Sequence, residues 1–224
     1  MTDGNGILLP LFPLSNVVLY PKIQTPLHLF EPRYRALAEH ALAGERRIGM
    51  VTVRSEHLAE MSGDPPIYPI GCCGVIGESQ QLPDGRYNIV LRGEQRFRIV
   101  EELARPDEQL FRVARVTPLE DLYPDEERSQ VSSLRGRIID DVGAILRRVQ
   151  PERAATFRAQ LFAGVDDETL VNTLSNALAF PAQEKQMLLE ADTIPDRFAR
   201  LANILSFRRA EFEATGGSGP ASVH

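Results

Sequence analysis

A chain of 224 residues, 43% hydrophobic and 25% charged, holds enough apolar material for one large domain or two small ones with real cores. Its formal net charge of -6 argues against nucleic acid or an anionic membrane surface as the main partner. No stretch approaches the ~18 consecutive apolar residues of a membrane-spanning helix.

The first half reads as β. Ile7 to Phe12 is apolar but interrupted by Pro10, with Pro13 close behind, so an edge or bulged strand is expected. Val17-Val18-Leu19-Tyr20 reads as a short buried strand ended by Pro21. One helix follows: Pro32 suits its first turn, Tyr34, Leu37, Ala38, Ala41 and Leu42 form its apolar stripe, and Gly44 stops it. Ile48 to Val53 resumes β, and Tyr68 to Gln81 is a strand whose glycines mark bends or close backbone approach. Pro83-Asp84-Gly85-Arg86 is a tight turn. Beyond it Tyr87, Ile89 and Leu91, then Phe97 and Ile99, then Phe111 and Val113 alternate with polar or exposed neighbours. Short antiparallel strands with glycine bends and one inserted helix predict a closed or nearly closed small barrel.

The second half is helical and more acidic. Residues 119–224 carry 12 Lys/Arg against 17 Asp/Glu, whereas residues 1–118 carry 13 against 14. After Pro124, Val131, Leu134, Ile138, Val142, Ile145 and Val149 trace one long apolar stripe. A short helix with Phe157, Leu161 and Phe162 is expected between Pro151 and Gly164. Asp166 then caps a helix bearing Leu170, Val171, Leu174 and Leu178, Pro181 opens another, and Pro195 opens the last, through about Phe212. The expected division is a β subdomain over 1–120, a helical subdomain over 121–213 and a disordered Gly/Ser-rich tail over 214–224.

An ordered series of segments resembles the N-terminal, substrate-binding domain of the Lon protease family. It starts at Leu9-Pro10-Leu11-Phe12-Pro13-Leu14 and Val17-Val18-Leu19-Tyr20-Pro21, and runs through Pro26-Leu27-His28-Leu29-Phe30-Glu31-Pro32-Arg33-Tyr34. It continues at Gly71-Cys72-Cys73-Gly74-Val75-Ile76, at Leu82-Pro83-Asp84-Gly85-Arg86-Tyr87 and at Arg92-Gly93-Glu94-Gln95-Arg96-Phe97-Arg98-Ile99. Lys185-Gln186-Met187-Leu188-Leu189-Glu190, with Asp196-Arg197, is similar to the family's end, so the likeness covers about residues 7 to 212. It implies an α+β fold, a PUA-like β pseudo-barrel with one inserted helix followed by a C-terminal α-helical bundle. It also implies a stand-alone member that binds exposed or unfolded polypeptide segments independently of ATP, in a groove between barrel and bundle. Phe30, Glu31, Arg33, Tyr34, Arg92, Arg96 and Phe97 lie in the matching segments and are the candidate substrate-binding residues. An adaptor role toward a separate protease or chaperone, or RNA or small-molecule binding through the barrel, are the competing readings.

The residues offer little apparatus for breaking bonds, and no catalytic residue, cofactor or metal is expected. Only Lys22 and Lys185 are lysines, neither follows the glycine-rich pattern of a phosphate-binding loop, and neither sits in a peptidase-like context. Cys72 and Cys73 could be a nucleophile, a vicinal disulfide or metal ligands, but strand alternation sends one to each face, so they cannot jointly grip a zinc ion. Two small apolar residues in a glycine-rich strand is the simpler reading. His28 and His57 lack metal or triad spacing, and Asp140-Asp141 and Asp166-Asp167-Glu168 suit a helix surface and a cap. Arg92, Arg96, Arg98 and Arg112 are the one basic concentration; phosphate binding needs a basic face, and Glu94, Glu101 and Glu102 dilute this one. Glu31 and Arg33 could instead lock the strand–helix junction, with Tyr34 in the core. The opening Met-Thr-Asp-Gly-Asn-Gly lacks the basic start and apolar core of a secretory signal, so a cytoplasmic location is expected.

Overall fold

The computed structural model describes residues 6–149 and 164–214. The helix expected around Phe157 and the tail beyond residue 214 lie outside them, as does the Val149 side chain. The chain forms two compact units, one of Met1–Glu120 with Asn172–Glu190 and one of Asp121–Val171 with Ala191–His224. The single division expected after residue 120 differs from this, because residues 172–190 group with the strands.

In the first unit six strands, β1 (Ile7–Leu14), β2 (Gln24–Leu29), β3 (Arg47–Thr52), β4 (Ile70–Gln81), β5 (Tyr87–Glu102) and β6 (Arg112–Leu119), make one sheet of order β2-β5-β4-β3-β1-β6. β5 also pairs with β6, so β5, β4, β3, β1 and β6 close into a ring. The length of β5 makes this possible: Tyr87–Arg92 pairs with β2 and Arg96–Glu102 with β6, on the same edge. β1 and β3 run parallel, and the helix α1 (Pro32–Ala43) lies in the connection between them. Its buried Tyr34, Leu37, Ala38 and Ala41 follow the expected stripe.

Two strand expectations change. β1 is interior, not an edge, flanked by β6 and β3. Its prolines are tolerated because the two ladders are staggered: β6 pairs with Ile7–Leu11 and β3 with Leu11–Leu14, so Pro10 and Pro13 each sit where only one side is laddered. Val18, Leu19 and Tyr20 are buried as expected but form no strand. Their backbone turns instead, with the Ile23 amide donating to the Tyr20 carbonyl and the Lys22 amide to the Gly93 carbonyl.

Leu9, Leu11, Val51, Val53, Ile67, Phe97, Ala114 and Val116 form a core cluster inside the ring. The Phe97 ring occupies space left by two glycines: a Cβ on Gly49 would come within 3.0 Å of it, and one on Gly71 within 2.7 Å. Cys73 packs against this cluster, and Cys72, its neighbour in the strand, is fully buried elsewhere. A register shift sets Cys73 opposite Gln95 but Gly74 opposite Gly93, leaving Glu94 as an extra residue in β5.

In the second unit α2 (Arg128–Val149) packs against α5 (Ile194–Ala214). Val131, Ile138 and Val142 meet a buried face of Phe198, Leu201, Ala202 and Leu205. Among polar groups, buried Asp141 accepts from Ser206 Oγ at 2.9 Å and Arg209 Nη1 at 3.0 Å. Fully buried Arg197 pairs with Asp121 at 2.6 Å. Asp166 caps α3 (Asp167–Ala177), accepting from the Thr169 amide at 2.9 Å. No helix among the described residues is long and apolar enough to cross a membrane.

Gly93 and Gly136 respond oppositely to an added methyl. At Gly93 the Cβ would lie 2.0 Å from the Tyr20 carbonyl oxygen, a backbone atom that cannot step aside, whereas Gly136 in α2 has nothing within 4 Å. Gly93→Ala lowers the unfolding free energy by about 3 kcal/mol and Gly136→Ala raises it by about 0.5–1 kcal/mol, both read from urea denaturation followed by circular dichroism.

Candidate functional site

The start of α1 positions the first candidates. Glu31 holds an extended backbone, its carbonyl accepts from the Tyr34 and Arg35 amides at 3.0 and 2.9 Å, and Pro32 fills the first turn. Arg33 reaches back to Glu31 at 2.9 Å (Nε to Oε2) and outward to the carbonyls of Met61 at 2.5 Å and Gly63 at 3.0 Å. Its guanidinium also lies 4.7 Å from the centre of the Tyr34 ring. Tyr34 is buried, donates to the Pro13 carbonyl at 3.0 Å and meets Phe12 edge-on at 4.5 Å. Burial raises its phenol pKa, and nearby Arg33 opposes the shift.

The segment Met61–Pro65 is a strap that Arg33 shares with two other arginines. Arg105 holds Asp64 with bonds of 3.0 and 2.7 Å. Arg112 donates to the Pro65 carbonyl at 2.8 Å and makes two bonds of 2.7 Å to Glu102. Strap and arginines wall a cleft of about 570 Å3, lined among others by Arg33, Asp64, Glu102, Arg105, Leu110 and Arg112. That volume falls in the usual range for ligand pockets. Beside it lies a crevice of about 10 Å3, room for about one water, bounded by Leu11, Pro13, Tyr34, Met61 and Phe111. Each of the three guanidiniums already faces a carboxylate, so the mouth carries no spare positive charge. A phosphate would have to displace a carboxylate, whereas a neutral segment with an apolar side chain would not.

The other candidates lie elsewhere. Phe30 is 59% exposed just past β2, stacked with His28 at 6.1 Å. Arg92 is exposed and bonded to Glu94 at 3.2 Å. Arg96 and Phe97, by contrast, are each 2% exposed. Arg96 donates to the carbonyls of Leu189 at 2.9 Å and Glu120 at 3.2 Å, and Phe97 fills the ring, so neither presents a surface to a ligand. The structure thus brings Glu31, Arg33 and Tyr34 together at the start of α1, with Arg33 lining the cleft and Tyr34 the crevice beside it. Asp64, Arg105 and Leu110 complete the cleft without having been singled out; only the prolines around Met61–Pro65 hint at a loop there. Of the four arginines read as a basic concentration, Arg96 is buried, and Arg92 and Arg112 are each paired with a carboxylate.

Among the described residues no group of three or more His, Cys, Asp or Glu side chains is placed to hold a metal ion. Burial pushes the Cys73 thiol up to about 11, and Cys72 is inaccessible.

What this geometry defines is a mixed α+β domain with a charge-balanced, largely polar cleft. A family model described as the ATP-dependent protease La (LON) substrate-binding domain matches residues 8–206. Similar proteins include the Lon protease of Cytophaga hutchinsonii, 27% identical over 198 residues, covering 88% of this chain and 24% of that protein. Another is the Lon protease of Solibacter usitatus, 30% identical over 201 residues with coverage of 88% and 24%. The chain therefore spans about a quarter of the length of these relatives. Among solved structures, the N-terminal domain of Mycobacterium avium complex Lon protease superposes with a TM-score of 0.68 at 18% identity, over 89% of this chain and 98% of that one. The Lon N-terminal domain protein from Xanthomonas campestris gives 0.58 at 23% identity, over 90% and 98%. The protein belongs to the Lon substrate-binding domain family.

A thiol raised from 9.0 to about 11 has about 100-fold fewer thiolates at pH 8. Ellman's reagent at pH 8 therefore labels the folded protein at least about 100-fold more slowly than the urea-unfolded chain. Comparable rates in the two states would show that Cys73 is an accessible, ionised nucleophile.

Proposed function

We propose that this chain is a non-catalytic module that binds exposed or unfolded polypeptide segments independently of ATP. The observation that carries the reading is the family match over residues 8–206. The charge-balanced cleft supports it, because a polypeptide backbone is uncharged and offers hydrogen-bonding groups to a polar lining. In this reading the closed ring of strands serves as the family's PUA-like pseudo-barrel, and partners are extended chains rather than nucleic acid.

Magnitudes favour a surface over a single contact. Micromolar binding requires about -8 kcal/mol net, after an association cost of about 4–15 kcal/mol. At roughly 25 cal/mol per Å2, several hundred Å2 of apolar contact are needed. Leu110, 49% exposed, is a large apolar side chain at the cleft. A non-catalytic role is supported by the state of the nucleophiles. The Cys73 thiol is held protonated, and the Lys185 amine donates to the Asn176 carbonyl at 2.7 Å, its pKa lowered by burial. A lowered amine pKa alone, without a neighbouring hydroxyl in the geometry of a dyad, is no basis for hydrolysis.

Fluorescence anisotropy on peptides tiled from an unfolded protein, with and without ATP, tests the proposal. Saturable micromolar binding of apolar peptides, unchanged by ATP, is the expected result. Leu110→Arg weakens it about tenfold, the loss of one good contact. Absence of binding by wild-type protein up to high micromolar concentration would sink the reading.

A further inference from the structure

Three arginines and three carboxylates line the cleft, so its formal charges cancel, yet their pairing does not. Arg105 gives both terminal nitrogens to Asp64, at 3.0 and 2.7 Å. Arg112 gives Nε and Nη2 to the two oxygens of Glu102, each at 2.7 Å. Arg33 is taken by Glu31, which lies outside the lining, and by the carbonyls of Met61 and Gly63. One carboxylate is therefore left over. It is Asp107, which makes no hydrogen bond or ion pair among the described residues.

The connection between β5 and β6, residues 103–111, holds Asp107 in place. The Gln109 amide donates to the Pro106 carbonyl at 2.9 Å, so residues 106–109 form a β-turn with Asp107 and Glu108 at its corners. Gln109 Nε2 donates to the Phe111 carbonyl at 2.8 Å, and the Phe111 ring centre lies 5.0 Å from that of His40 on α1. The base of the connection is closed by the Leu103 amide, which donates to the Val113 carbonyl at 2.9 Å. The turn thus fixes a negative charge in a cleft that Pro106 and Leu110 also line. A group fixed in advance loses little freedom when a ligand reaches it.

We infer that the cleft selects basic segments: the polypeptide it fits carries a lysine or arginine beside an apolar residue, and Asp107 is the residue that distinguishes the charge. The inference rests on the peptide-binding reading above and narrows it to a substrate class. An acidic side chain meets Asp107 with every guanidinium of the lining already paired. A neutral side chain gains nothing from that carboxylate. A lysine or arginine forms an ion pair with it, and the apolar stem of the same side chain covers Leu110 or Pro106. Glu108, the next residue, does not line the cleft, so its charge serves as a control.

Fluorescence anisotropy of the full chain with three versions of one labelled, end-capped decapeptide tests it. Each version holds four leucines in a serine and glycine background, with Lys, Gln or Glu at one central position. Wild type binds the Lys version about threefold more tightly than the Gln version, and the Glu version about threefold more weakly, steps of the size an exposed ion pair supplies. Asp107→Asn erases the ranking and leaves the Gln version bound as before, Asp107→Lys inverts it, and Glu108→Gln preserves it. Equal affinity of wild type for the three versions overturns the inference and leaves peptide binding standing. So does a ranking that survives Asp107→Asn, or one lost equally in Glu108→Gln. Binding of none of the three removes the peptide-binding reading and this inference with it.

Discussion

The closed sheet depends on a set of polar bonds that fasten the helix α4 (Ala182–Leu189) to it. Gln186 is buried; its side-chain oxygen accepts from Thr52 Oγ1 at 2.7 Å, and its amide donates to the Ile70 carbonyl at 2.9 Å and to Glu190 at 2.8 Å. Arg96 holds the Leu189 carbonyl, and the Tyr20 hydroxyl donates to the Lys185 carbonyl at 2.6 Å. One of these acceptors, the Leu189 carbonyl, lies at the end of α4, where intrahelical donors run out. Asn172 adds a bond to the Pro21 carbonyl at 3.1 Å. Apolar contact alone would allow the helix to slide on the sheet. Buried donors and acceptors cost about 1–3 kcal/mol each when left unmade, so only one seating satisfies them all.

The same chemistry, arginine donating to carbonyls, shapes the cleft, but with less burial. Arg33 and Arg112 bind three carbonyls of the strap while leaning on Glu31 and Glu102. Exposed ion pairs contribute little to stability by themselves. Arg112, with 12% of its side chain exposed, is the best shielded of the three, and its paired bonds to Glu102 fix it with defined geometry. Stability thus concentrates where α4 meets the sheet, and the cleft is kept by weaker bonds. That is a reasonable division for a surface that must admit a ligand.

The sequence disclosed much of this, but unevenly. The stripe of α1 and the cap at Asp166 are local patterns, and both stand in the structure. The family resemblance was carried by short motifs in order, and of the residues named from it Arg33 lines the cleft. Alternation in β5 correctly pointed Phe97 inward, yet its neighbour Arg96 read as a surface arginine. Period-two patterning tells which face a residue occupies, not what covers that face; here the covering element lies about ninety residues further on. For the same reason residues 172–190 were grouped with the other helices, since an amphipathic stripe does not name its partner.

Prolines in the strands show how one local rule yields several meanings. Pro10, Pro13, Pro26 and Pro118 all lack the donor a ladder requires, and each has a ladder on one side only. Pro10 pairs with β6 before the β3 ladder begins, and Pro13 with β3 after the β6 ladder has ended. Pro118 pairs with Phe97 of β5 beyond Val116, where the β1 ladder stops. These three mark the stagger by which strands shift past one another to close a ring. Pro26 instead marks an edge beyond which no strand of the described residues pairs. Sequence reveals the missing N–H at all four places but not what faces it, so Pro10 read as an edge and the true edge went unremarked. The distinction is set by topology: where another strand passes nearby, the proline bounds a ladder within the fold, and where none does, it bounds the fold against other chains.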